Sequence, residues 1–63
     1  MTPQVDHCYE ANGFRFWVRF VKDDEVYLCR IPSDAPPNAE GHLIRVSRDV
    51  WDRDMANGKD VTP

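Results

Sequence analysis

The sequence predicts an α+β domain: a three- or four-stranded antiparallel sheet, connected as a meander, with one short C-terminal helix packed on one face. Three observations carry this. Asn12-Gly13 marks a tight hairpin, because a type I′ turn needs positive φ at both central residues. Phe14–Val21 is rich in aromatic and β-branched residues with period-two alternation, and Val26–Ile31, beyond the second turn, reads as a second strong strand. Ser47, placed before Arg48-Asp49-Val50-Trp51, has the side chain and position of a helix N-cap.

In chain order, the first predicted strand covers residues 5–11 and runs into the Asn12-Gly13 turn. The second, 14–21, ends at Lys22-Asp23-Asp24-Glu25, a cluster of turn-forming acids. The third, 26–31, stops at Pro32, which lacks a backbone donor. Residues 33–41 (Ser-Asp-Ala-Pro-Pro-Asn-Ala-Glu-Gly) form a loop by composition, long for so small a domain and therefore either a flexible excursion or a binding loop. His42–Val46 reads as a short fourth strand whose place in the sheet stays open. The helix runs from Arg48 to about Ala56 and stops at Asn57-Gly58. Val46 and Trp51 are set as a hydrophobic staple across its start, and Asp49 can pair with Arg53. The ordered core is expected over about residues 7–57, with both termini frayed.

Composition limits the function. With 63 residues the chain is one domain, and its charged fraction of 30% and hydrophobic fraction of 41% are globular values. Its net charge of −3, with acids and bases interspersed, argues against broad nonspecific nucleic-acid binding. The first residues carry no basic segment followed by an apolar one, and no apolar run reaches the length of a membrane span, so the expected compartment is the cytoplasm.

Register follows from the turns. A two-residue Asn12-Gly13 loop pairs Ala11 with Phe14, Tyr9 with Phe16 and Cys8 with Trp17. A regular ladder from Asp23-Asp24 pairs Val21 with Val26, Arg19 with Leu28 and Trp17 with Arg30. Strict alternation then sorts the sheet into two faces. One, the expected core, collects Tyr9, Phe14, Phe16, Val18, Phe20, Tyr27, Cys29 and Ile31. The other carries Cys8, Glu10, Arg15, Trp17, Arg19, Val21, Val26, Leu28 and Arg30, which is more apolar than a solvated face usually is.

Arg15, Trp17, Arg19, Val21, Val26, Leu28 and Arg30 are therefore the candidate partner surface, for another protein or a second copy. The alternative is a single-stranded nucleic-acid platform, with the arginines on phosphates and Trp17 stacked on a base. Beside both stands a purely local reading: Arg30 over Trp17 as a cross-strand cation–π pair, with Glu10 facing Arg15. No catalytic, cofactor or metal site is expected. His7, Cys8, Cys29 and His42 lack zinc-site spacing, and this register puts the two cysteines on opposite faces. His7 and Cys8 are strand neighbours that point apart, which weakens a Cys–His nucleophile. Ala35-Pro36-Pro37-Asn38 is a further candidate, as a short polyproline segment.

Overall fold

A computed structural model describes residues 1–36 and 39–63. The sheet has five strands: β1 (Cys8–Ala11), β2 (Phe14–Lys22), β3 (Glu25–Pro32), β4 (His42–Ser47) and β5 (Lys59–Asp60), with the helix α1 (Arg48–Asp54) between the last two. Their spatial order is β4-β3-β2-β1-β5, and every neighbouring pair is antiparallel. The α+β class stands, while the three- or four-stranded meander is corrected. The chain winds β1 to β4 as a meander, crosses the core face through α1 and returns as β5 beside β1.

Both ends of the chain make hydrogen bonds to the folded core. The Val61 N–H donates to the Cys8 carbonyl, and the Cys8 N–H donates to Thr62 Oγ1. At the other end Pro3 is buried, the Tyr9 hydroxyl donates to the Thr2 carbonyl, and Trp51 Nε1–H donates to the Met1 carbonyl at 2.8 Å. In a chain this small, satisfying the polar ends of Tyr9 and Trp51 lets both be almost fully buried.

Asn12 and Gly13 take φ of 55° and 84°, as a type I′ turn requires, and β1 pairs with β2 in the expected register. The second hairpin departs from it. Val21 faces Val26 and Phe20 faces Tyr27, but Val18 then faces Leu28 and Trp17 faces Cys29, with a bulge between Val18 and Phe20. Arg19 is the extra residue. A bulge lets two residues of one strand oppose one of its partner, so the period-two alternation slips there. The consequence is that β3 turns over relative to the sequence expectation.

Val26 (0% exposed) and Leu28 (1%) therefore lie in the core, with Tyr9, Ala11, Phe16 and Val18. Trp51 of α1 and Met55, its C-cap, close this core from above, and Phe14, Ile44 and Val46 pack at its margin. Tyr9 and Trp51 meet edge to face at 5.2 Å between centroids, a favoured aromatic geometry. Ser47 caps α1 by accepting from the Val50 N–H at 3.2 Å. Arg48 pairs with Asp52 instead of Asp49 with Arg53, and the helix ends at Asp54 with Met55 as its C-cap.

Candidate functional site

The face of the sheet opposite α1 is built from three cross-strand rows. Lys59, Glu10, Arg15 and Ile31 form one, Cys8, Trp17, Cys29 and Leu43 the next, and Phe20, Tyr27 and Arg45 the third. Of the seven residues expected on a partner surface, Arg15, Trp17 and Arg19 are here. Val26 and Leu28 are corrected to the core. Val21, opposite Val26, and Arg30, opposite Phe16, also belong to the core-side face. The guanidinium of Arg30 lies 5.0 Å from the Phe14 ring centroid, so its cation–π partner is Phe14 and not Trp17.

Phe20, Tyr27, Cys29, Ile31 and Leu43 take the vacated places. Phe20 and Tyr27 stack with centroids 4.2 Å apart and planes 15° from parallel, and Phe20 stays exposed. Leu43 is 61% exposed at the β4 end of its row, which for a branched aliphatic side chain is a large apolar surface left in water. The bulge hides these residues from sequence reasoning. In Val26–Ile31 both alternations contain apolar residues, so nothing within β3 tells one face from the other.

The loop after β3 covers one end of this face. Arg15 Nη2 donates to the Ala35 carbonyl at 3.2 Å, and the Ser33 N–H donates to the Gly13 carbonyl. Arg15 is thereby a tether for the loop, with its Nε buried and unpartnered. Gly41 passes so close to β3 that a Cβ there would sit 2.7 Å from Ile31 Cγ1 and 2.9 Å from the Arg30 carbonyl oxygen. Between the loop residues Ala39–Gly41 and Trp17, Arg19, Cys29 and Ile31 lies an open cleft of about 310 Å³. The polyproline reading falls partly on Pro37 and Asn38, outside the described residues.

The cysteines are also corrected: Cys8 and Cys29 share this face, one on each side of Trp17. Two strand spacings separate their Cα atoms by roughly 9.5 Å, too far for a disulfide. Both thiols are free, and burial pushes the Cys8 thiol pKa up. Among the described residues no cluster of three His, Cys, Asp or Glu side chains is placed to hold a metal ion.

A second polar cluster joins the chain ends. His7 Nδ1–H donates to Asp60 Oδ2 at 2.7 Å, and Asp60 Oδ1 accepts from the Thr62 N–H and hydroxyl. These hydrogen bonds, those from the Thr62 hydroxyl and His7 foremost, lower the Asp60 pKa to about 2. Its partners, His7 and Thr62, flank β1 and β5 in the chain and clasp the two strands together.

Among the described residues no helix is long and apolar enough to cross a membrane. Compared with protein-family models, with curated proteins and with solved structures, the chain matches none.

Proposed function

We propose that this chain is a non-enzymatic binding protein that acts through the sheet face opposite α1, engaging another protein or a second copy of itself. The observation that carries this is the composition of the face. Exposed Phe20 stacked on half-buried Tyr27, half-buried Trp17 and exposed Leu43 share one face of the sheet, beside Arg19 and the cleft under Ala39–Gly41. Aromatic residues and arginine are the side chains enriched at protein interfaces, and an aromatic ring buries a large area while ordering only two torsions. Exposed Phe20 and Leu43, with half-buried aromatic residues between them, also favour an interface over a purely solvated face.

The nucleic-acid alternative retains Trp17, Arg19 and the exposed aromatic stack. Arg15 is engaged with the loop and Arg30 lies over Phe14 on the other side, so fewer cations remain to meet phosphates. This favours the protein partner.

The test is a double substitution, Trp17→Ala with Arg19→Ala, in a chain whose folding is verified by protection of the core amides. Loss of self-association, or of a captured partner that binds the wild-type chain, is the expected result. An unchanged mass in solution together with unchanged capture overturns the proposal. Binding of single-stranded oligonucleotides that weakens with added salt shifts the reading to the alternative, because phosphate contacts release counterions.

A further inference from the structure

The two edges of the sheet differ in kind. At one edge β5 has two residues, and a strand that short offers almost nothing to pair with. At the other edge β4 has six, with no proline and no bulge within it. Edge strands normally carry such devices, since an open row of N–H and C=O groups is a template for another strand. The charge that β4 does carry, Arg45, is matched within the chain by Glu25 at 2.8 Å.

The direction of the open groups follows from the ladder. The Arg48 N–H donates to the Asp24 carbonyl, which continues the register in which Val46 faces Val26 and Ile44 faces Leu28. In an antiparallel pair, alternate residues turn both main-chain groups toward the partner strand. Ile44 and Val46 thus bond inward to β3, while Leu43, Arg45 and Ser47 turn their N–H and C=O groups outward to the free edge. The side chains of Leu43 and Arg45 lie on the face opposite α1, as those of Tyr27 and Cys29 do.

We propose that β4 pairs antiparallel with β4 of a second copy, about a two-fold axis through Ile44. The proposal rests on the self-association reading above and deepens it by naming the partner and the register. In this register each Leu43 faces Arg45 of the other copy, and the two exchange both N–H···O=C bonds. Ile44, half-buried at the margin of the core, meets its own symmetry mate. Registers one pair away are poorer. Centring on Arg45 sets two like charges directly opposite, which is unfavourable. Centring on Leu43 shortens the overlap by carrying the pairing past Gly41 into the loop.

A second copy fits this edge better than an unrelated extended segment, for two reasons. The exposed Leu43 finds the aliphatic stem of Arg45 as its cross-strand cover, and Arg45 keeps its ion pair with Glu25. The shortness of β5 also leaves no second edge for β4 to add to. Pairing is therefore isologous and closes at two copies, where a head-to-tail contact would grow into a fibre.

Sedimentation over a range of concentrations, together with amide exchange of the full chain, tests the proposal. The expected result is a dimer in which the Leu43 and Arg45 amides are protected. Leu43→Lys sets a lysine opposite the partner's Arg45 at two symmetric places and is expected to weaken the dimer about tenfold. Leu43→Glu sets opposite charges there and is expected to hold it at least as tightly as the wild type. Protection of the inward Ile44 amide in both variants shows that β4 itself stays folded. A monomer at every concentration, with freely exchanging Leu43 and Arg45 amides, overturns the proposal. So does a dimer indifferent to both Leu43 substitutions; if Trp17→Ala dissolves that dimer, the face reading survives and the edge pairing alone fails.

Discussion

Deleting a residue from the middle of a central strand normally ruins a sheet, because every later side chain changes face. Deletion of Arg19 is expected to be an exception. The pairs Val18–Leu28 and Phe20–Tyr27 flank Arg19 on both sides, so removing it turns the bulge into a regular ladder with each remaining residue on the face it already occupies. The alternative, in which Arg19 pairs with Leu28 without a bulge, would drive Val26 and Leu28 out of the core. Burial of each is worth about 1.5–3 kcal/mol, so losing both removes a gross contribution of about 3–6 kcal/mol, which burial of Tyr27 and Cys29 in their place offsets in part. The whole 63-residue chain is expected to hold only about 3–9 kcal/mol at typical per-residue values. The Arg19 deletion should therefore lie within about 1 kcal/mol of the wild type, measured as a urea midpoint with unchanged m-value. Deleting Cys29, which has no bulge beside it, should cost more than about 3 kcal/mol or abolish folding. An Arg19 deletion that unfolds the chain, or that leaves Val26 and Leu28 exposed to solvent, refutes the reasoning.

Three further outcomes are expected. Trp51→Ala removes the largest fully buried side chain and should cost about 3–5 kcal/mol, most of the stability available; Trp51→Phe, which keeps an aromatic edge for Tyr9 but loses the bond to Met1, should stay folded in a thermal melt. Gly41→Ala should cost about 1–3 kcal/mol, because its Cβ would meet the Arg30 carbonyl, which is main chain and cannot swing aside; an unchanged denaturation midpoint would show that the loop does not rest against β3. Asp60 has a folded pKa of about 2, below its ordinary 3.8. A depressed carboxyl stabilises the fold above its unfolded pKa, and that contribution is lost as pH falls through the folded value. Stability should therefore decline between about pH 4 and pH 2, and Asp60→Asn should flatten that part of the profile; an identical acid profile in the two proteins would show that the clasp is not the source.

The sequence by itself determined the four longer strands, the first hairpin and the helix start, because each depends on residues close in the chain. Asn12-Gly13 can adopt its turn from local backbone freedom alone, and Ser47 caps the helix through a neighbour three residues away. It also marked Arg15, Trp17 and Arg19 as residues of the face opposite the helix. Tertiary structure decided which face of β3 is the core. Val26, Leu28, Tyr27 and Cys29 are apolar enough for either side, so the choice falls to the fit of Val26 and Leu28 under Trp51 and Met55, which a bulge at Arg19 permits. Pairing of Lys59-Asp60 with β1 was likewise invisible in two polar residues, since it is held by His7, Cys8 and Thr62, which lie together only once the chain has folded. The open edge at β4 has the same origin: β3 takes one side, and among the described residues no strand takes the other, an arrangement assigned by the fold.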